Sequence, residues 1–294
     1  MPKSNILFII NPISGGKDKL KLPALIDALL DREKFNPNFS FTAYAGHAAE
    51  IAEEAATRNF EIIVAVGGDG TVNEVAAKVM KHDKILGIIP FGSGNGLARF
   101  LKIPMSVSKA IGVINSCDIQ KIDTGLLNEK HFFNMAGIGF DAHISSVFAG
   151  NISRGLSGYL KLGLQEVFGY KAQTYHLNID NVKYVRKAFL ISIANSSQYG
   201  NNVHIAPTAS VVDGLFDICI VKEFPLYKWT LLAYQMVTGK TDRSDLVEII
   251  KGKRILITMP QADPIHIDGE PITLNNELRI EIQPLSLKII APLR

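Results

Sequence analysis

The sequence predicts an α/β protein in two parts: an N-terminal three-layer α/β domain with a mainly parallel sheet, and a C-terminal, mainly antiparallel β-sandwich domain. Three observations predict it. Short, wholly apolar runs of strand length recur between helical patterns in the first third of the chain. Each of these runs ends in a glycine-rich turn. After about residue 122 the rhythm changes to β-like runs joined by Asp-Gly, Asn-Asn and Gly-rich turns.

In order, Ile6–Ile10 is a buried strand, and Leu20–Leu30 has helical spacing with Leu22, Leu25, Ile26 and Leu29 on one side. Phe39–Tyr44 alternates as a strand, and His47–Thr57 is helical. Ile62–Val66 is a second buried strand, Val72–Met80 a helix, and Ile85–Ile89 a third buried strand. Strand, turn and helix in repetition call for a parallel sheet covered on both faces, with ligands at the carboxyl ends of the strands. Beyond it, residues 132–136, 175–179, 188–194, 216–221, 254–259 and 278–282 read as antiparallel strands. Helices are expected at 158–169 and 226–237. The predicted boundaries are 1–123 for the first domain and 124–287 for the second, with about residues 288–294 returning to the first.

Composition narrows the function. With 47% hydrophobic and 20% charged residues, the 294-residue chain is neither disordered nor coiled coil. A net charge of +3, without a dense basic tract, gives no support to nucleic-acid binding. Cys117 and Cys219 lack metal-ligand spacing and are expected to be buried thiols of a cytoplasmic protein. No run is long enough for a transmembrane helix, so membrane contact is expected to be peripheral.

Three loops follow buried strands: Asn11–Lys17, Gly67–Thr71 and Pro90–Gly96. Glycines let backbone N–H groups approach an anion, and a helix starting after the loop adds its positive end. Tight βα turns need glycine too, so a single loop is ambiguous. Gly239-Lys240-Thr241 has the tail of a P-loop, but Tyr234 stands where the first glycine belongs. By pattern alone Asp213-Gly214 and Asp268-Gly269 are hairpin turns.

Val66-Gly67-Gly68-Asp69-Gly70-Thr71-Val72-Asn73-Glu74 resembles the signature of the diacylglycerol kinase catalytic domain family, which includes bacterial lipid kinases, sphingosine kinases and ceramide kinases. Asn11-Pro12 with Ser14-Gly15, Pro90 to Asn95, Asp213 to Asp217 and Asp268-Gly269-Glu270 follow in the family order. The resemblance implies an ATP-dependent lipid kinase acting on a diacylglycerol-like or sphingoid lipid, with Mg²⁺. It implies that Gly67, Gly68, Asp69, Gly70, Thr71, Val72 and Asn73 hold the ATP phosphates, with Asn11, Thr42 and Ser93 lining the same pocket. Asp69 would act through a water-coordinated Mg²⁺, with capping of the following helix as its structural alternative. Asp268 is implied as general base with Glu270 assisting, and Ser210, Asp213 and Leu215 as a structural Mg²⁺ site.

Lys17 is a candidate phosphate clamp or a solvated lysine, and His176, His204 and His266 read as ordinary packing. Apolar residues of 144–164 are candidates for an acyl pocket or simple core. Lys161, Lys171, Lys183, Arg186 and Lys187 are candidates for a headgroup-facing or merely solvated face. An NAD kinase-like enzyme and a catalytically silent lipid or nucleotide sensor remain the alternatives, and a homodimer stays open.

Overall fold

The computed structural model describes residues 3–16, 19–149, 166, 169–261 and 263–292. Contacts divide the chain into one unit of Met1–Ile122 with Leu285–Arg294, and another of Asp123–Pro284.

In the first unit the apolar runs become β1 (Ser4–Ile10), β2 (Phe35–Phe41), β3 (Ile62–Gly67) and β4 (Ile85–Pro90). They alternate with helices α1 (Leu22–Leu29), α2 (His47–Thr57) and α3 (Asp69–Lys81). β1 pairs in parallel with both β2 and β3, and β3 with β4. Every residue of β3 and β4 is buried, which requires cover on both faces. That cover explains runs without alternation. β2 begins four residues earlier than the alternation at 39–44 suggests and contains Pro37; it pairs only with β1, and an edge strand tolerates a proline. Two helices carried no clear signal: α4 (Gly96–Phe100), of five residues, and α5 (Val107–Ser116), interrupted by Gly112.

The second unit opens within β5 (Ile119–Leu127), followed by β6 (Lys130–Phe132), β7 (Met135–Gly139) and α6 (Phe140–Ala149). The expected single strand at 132–136 is broken between β6 and β7 because the Phe133 and Asn134 amides bond to a carboxylate instead of a neighbouring strand. Strands β8 (Gln173–Ile179), β9 (Val182–Ala194), β10 (Gln198–Gly200), β11 (Val203–His204) and β12 (Phe216–Lys222) come next. A 3-10 turn at Leu226–Lys228 leads into α7 (Trp229–Val237), and β13 (Val247–Gly252), β14 (Arg254–Thr258), β15 (Pro264–Ile267), β16 (Glu270–Thr273) and β17 (Glu277–Ile290) complete the chain. The expected helix at 158–169 lies outside the described residues apart from 166 and 169.

Nearly all pairing here is antiparallel, with β9 bonded to β7, β8 and β12. Side-chain alternation along β12 sends Phe216, Ile218 and Ile220 into the sandwich core. Cys219 and Val221 face a second apolar cluster with Phe140, Ile144 and Leu232. The late part of β17 belongs to the first unit, where Lys288 and Ile289 pair in parallel with Ile85 and Leu86 of β4. Of the two cysteines, Cys219 is buried as expected, whereas Cys117 ends α5 in a left-handed conformation and is only half-buried.

Ile218 is fully buried. Ile218→Ala is expected to destabilise the protein by about 2–5 kcal/mol in urea unfolding, through lost transfer energy and a residual cavity.

Candidate active site

In the first unit the three glycine loops come together. Asn11 Nδ2 donates to Thr71 Oγ1 at 3.0 Å, which joins the first loop to the second. Asp69 joins the second to the third, accepting the Asn95 N–H at 2.8 Å and the Gly96 N–H at 2.9 Å. Asp69 therefore caps the start of α4, not the helix it begins. The second and third loops also touch backbone to backbone: a Cβ on Gly92 would lie 2.7 Å from the Gly68 Cα. Only glycine permits that approach.

The N-terminus of α3 carries no side-chain cap, and the first intrahelical bond is from the Val72 N–H to the Gly68 oxygen at 3.0 Å. Amides of the first turn, such as those of Gly70 and Thr71, are the donors an anion meets. The Val72 amide is already used and its side chain is buried, so Val72 supports the loop without presenting a donor. Asn73 follows on α3, Ser93 is exposed at the tip of the third loop, and Thr42 is buried just past β2, its N–H bonded to the Ile10 oxygen at 2.9 Å.

Three residues near this loop cluster have structural parts that the sequence did not reveal. Glu74 accepts the Gly46 and Ala48 N–H groups and so caps α2. Asn95, in a left-handed conformation, closes the third loop on itself through Gly92. Lys19 is buried, donates to the carbonyls of Pro12 and Ser14, and lies 5.0 Å from the Phe91 ring centre. Lys17 is outside the described residues.

In the second unit Asp268 and Gly269 form the two-residue turn between β15 and β16, both with positive φ, +49° and +88°. This is the geometry that Asp-Gly hairpins favour. The Asp268 side chain points inward. It accepts N–H bonds from Phe133 (3.0 Å), Asn134 (2.8 Å) and Met135 (3.0 Å), and its own N–H donates to the Met135 oxygen at 2.9 Å. Glu270 is exposed.

His266 departs from the expected ordinary packing. It is 1% exposed, its Nε2 lies 2.8 Å from Asp141 Oδ2, and the Tyr199 hydroxyl donates to the same oxygen at 2.8 Å. The Gly269 N–H donates to His266 Nδ1 at 3.3 Å. Burial alone pushes the imidazole pKa down. The Asp141 charge and hydrogen bond, aided by Asp268, outweigh it and hold the pKa above its ordinary value. His266 lies opposite Gly137 of β7, where a Cβ would collide with both His266 Nε2 and Asp141 Oδ2. The other two histidines differ: His176 is exposed, and burial lowers the pKa of His204, whose Nδ1 meets Ser197 Oγ at 3.2 Å.

The expected structural metal turn is balanced by a lysine. Asp213 Oδ1 accepts the Leu215 N–H at 3.2 Å, and Asp213 Oδ2 lies 3.4 Å from Lys251 Nζ, which is 2.6 Å from Asp217 Oδ1. Burial pushes the Lys251 pKa down, but Asp217 and Asp213 outweigh this and hold it above its ordinary value. Ser210 Oγ accepts the Val212 N–H at 3.4 Å, and Asp123 accepts the Gly214 N–H at 2.7 Å. Lys251 thus places positive charge beside the carboxylate of the expected site. No group of three or more His, Cys, Asp or Glu side chains with metal-binding geometry occurs among the described residues.

Arg186 pairs with Glu248 by bonds of 2.8 and 2.9 Å, and Lys187 with Glu223 at 2.6 Å. Lys161 and most of the apolar 144–164 segment lie outside the described residues.

Residues 5–127 match the diacylglycerol kinase catalytic domain, and residues 134–291 match the YegS C-terminal NAD kinase beta sandwich-like domain. The chain belongs to this lipid kinase family. A "Probable lipid kinase YegS-like" protein of Enterobacter sp. (strain 638) is 30% identical, covering 97% of this chain and 95% of its own. The "Diacylglycerol kinase" of Bacillus subtilis (strain 168) is 27% identical over 92% of this chain and 90% of its own. Two crystal structures from Bacillus anthracis str. Sterne share the fold. One has a TM-score of 0.82 at 24% identity, covering 98% of this chain and 95% of that one. The other, of a diacylglycerol kinase, has a TM-score of 0.75 at 20% identity, covering 99% and 98%. No helix among the described residues is long and apolar enough to cross a membrane.

Gly92→Ala is expected to force the second and third loops apart and to cost about 1–3 kcal/mol of stability, the usual cost of overpacking. Chemical denaturation of the variant beside the unchanged protein measures it.

Proposed function

We propose that this member of the lipid kinase family transfers the γ-phosphoryl group of ATP directly to a hydroxyl of a diacylglycerol-like or sphingoid lipid. The observation that carries the reading is the mutual packing of three glycine loops around an uncapped helix N-terminus. Such a surface suits a polyphosphate, because its donors are backbone amides fixed before the ligand arrives. In this reading Gly67 to Thr71 receive the phosphates, Asn73, Asn11, Thr42 and Ser93 line the same pocket, and Asp69 and Val72 hold the loops in shape.

Mg²⁺ accompanying the nucleotide would neutralise charge on the β- and γ-phosphates. Both Asp69 oxygens already accept amides. Such an ion would be held near Asp69 through water.

Asp268 is proposed as the base. A lipid hydroxyl is a weak nucleophile, and a positioned carboxylate takes its proton as the bond to phosphorus forms. The three amides, two on Oδ1 and one on Oδ2, fix the orientation of the Asp268 carboxylate. Glu270, exposed on the next residue but one, assists at the nucleotide end. The acceptor reaches the enzyme from a membrane surface, which the protein meets peripherally.

Labelled ATP offered with diacylglycerol, ceramide, sphingosine, phosphatidylglycerol and NAD tests the assignment. Phosphate on a lipid is the expected result; phosphate on NAD alone, or on none of the five, overturns it. Asp268→Asn is expected to slow transfer by at least about 100-fold, the usual scale of general-base catalysis. Undiminished turnover would remove Asp268 from the mechanism.

A further inference from the structure

We propose that His266, anchored by Asp141 and Tyr199, is a positioning residue that holds the Asp268-Gly269 turn in its working geometry through the Gly269 N–H. This rests on the reading of Asp268 as the base.

The hydrogen-bond directions leave one arrangement. A backbone N–H only donates, so the Gly269 contact requires an unprotonated Nδ1. The ring proton is then on Nε2 and donates to Asp141 Oδ2, which also accepts the Tyr199 hydroxyl. The chain runs from the turn through the ring to a carboxylate on α6. Asp268 is thus gripped from two sides: its carboxylate by the amides of 133–135, its turn by His266.

Stability alone does not account for the arrangement. A buried carboxylate with its hydrogen-bond partners is commonly no more stabilising than apolar residues of the same volume. This one also demands glycine at 137 to make room. What the chain of bonds supplies is direction. It couples the backbone of the residue after Asp268 to a rigid helix.

Protonation of the ring changes one end of the chain only. A proton on Nδ1 removes the acceptor for the Gly269 N–H, while the pair with Asp141 grows stronger. The groups facing His266 are Asp141 on α6, Tyr199 on β10 and Asp268 on its own turn. Their balance holds the folded pKa above the unfolded value. Stabilisation from this charge is therefore fully present below the unfolded pKa, about 6.5, and is lost as pH rises through the folded pKa. Acid consequently leaves the fold intact and loosens the turn. Turnover should fall as pH drops through the His266 pKa.

The test is kcat against pH, from about pH 5 to 9, for the full chain with whichever lipid of that panel takes phosphate. Asp141→Asn weakens the charge that raises the His266 pKa, so the acid limb should move to lower pH. His266→Gln keeps a donor for Asp141 without titrating, so that limb should vanish. His266→Ala should lower kcat by about 10- to 100-fold with KM for ATP unchanged, the scale of a displaced catalytic group. In the unmodified protein, the Gly269 amide resonance should shift with the His266 ring titration, a readout that does not depend on any variant folding. An acid limb that stays in place in both Asp141→Asn and His266→Gln, or a Gly269 amide blind to the ring, overturns the proposal. Asp268→Asn separates the two levels. If it stays active, the base assignment itself is wrong; if it is inactive while the limb does not move, only the positioning role is lost.

Discussion

An ionised carboxylate taken out of water is costly unless donors replace the solvent around it. At Asp268 three consecutive amides, those of Phe133, Asn134 and Met135, do so. The local architecture follows from that demand. The chain must leave strand pairing between β6 and β7 to free those amides, and Asp268 must take a left-handed conformation to reach them. The neighbouring position on β7 must be glycine to admit the histidine behind the turn. An interruption in a strand, a positive φ and a missing side chain have one common cause.

The first unit solves the opposite problem. In the proposed reading it prepares a place for charge that arrives from outside, using backbone in place of side chains. Its loops are close enough that only hydrogen atoms separate Gly68 from Gly92, and Asp69 ties the two together through amides of α4. Side chains with suggestive chemistry, Asp69 and Glu74 among them, are occupied in holding this scaffold. They leave the N-terminus of α3 without a side-chain cap, the kind of surface that accepts an anion.

The sequence made the fold legible where periodicity is strong. Ile62–Val66 and Ile85–Ile89 are apolar throughout because both faces are covered, and such runs announce themselves. β2 was misplaced because an edge strand with Pro37 has no reason to alternate. α5 was missed because Gly112 dilutes its helical signal. At the site, the glycine loops and the Asp-Gly-Glu turn were legible because their spacing along the chain is short. The Asp141–His266 pair was not. Its members are 125 residues apart, and nothing in Phe140-Asp141-Ala142 marks that carboxylate as a partner. Lys251 likewise shows its part at Asp213 only once β12 and β13 are paired.

Lys288 and Ile289 add a strand beside β4, so the first unit lacks one edge of its sheet until the C-terminal segment has been made. On the ribosome, that unit waits with a row of unsatisfied peptide groups along β4 while the sandwich is still being translated. A chaperone that shields strand edges would find its target there, and premature termination anywhere in the sandwich would release a sticky, half-zipped sheet.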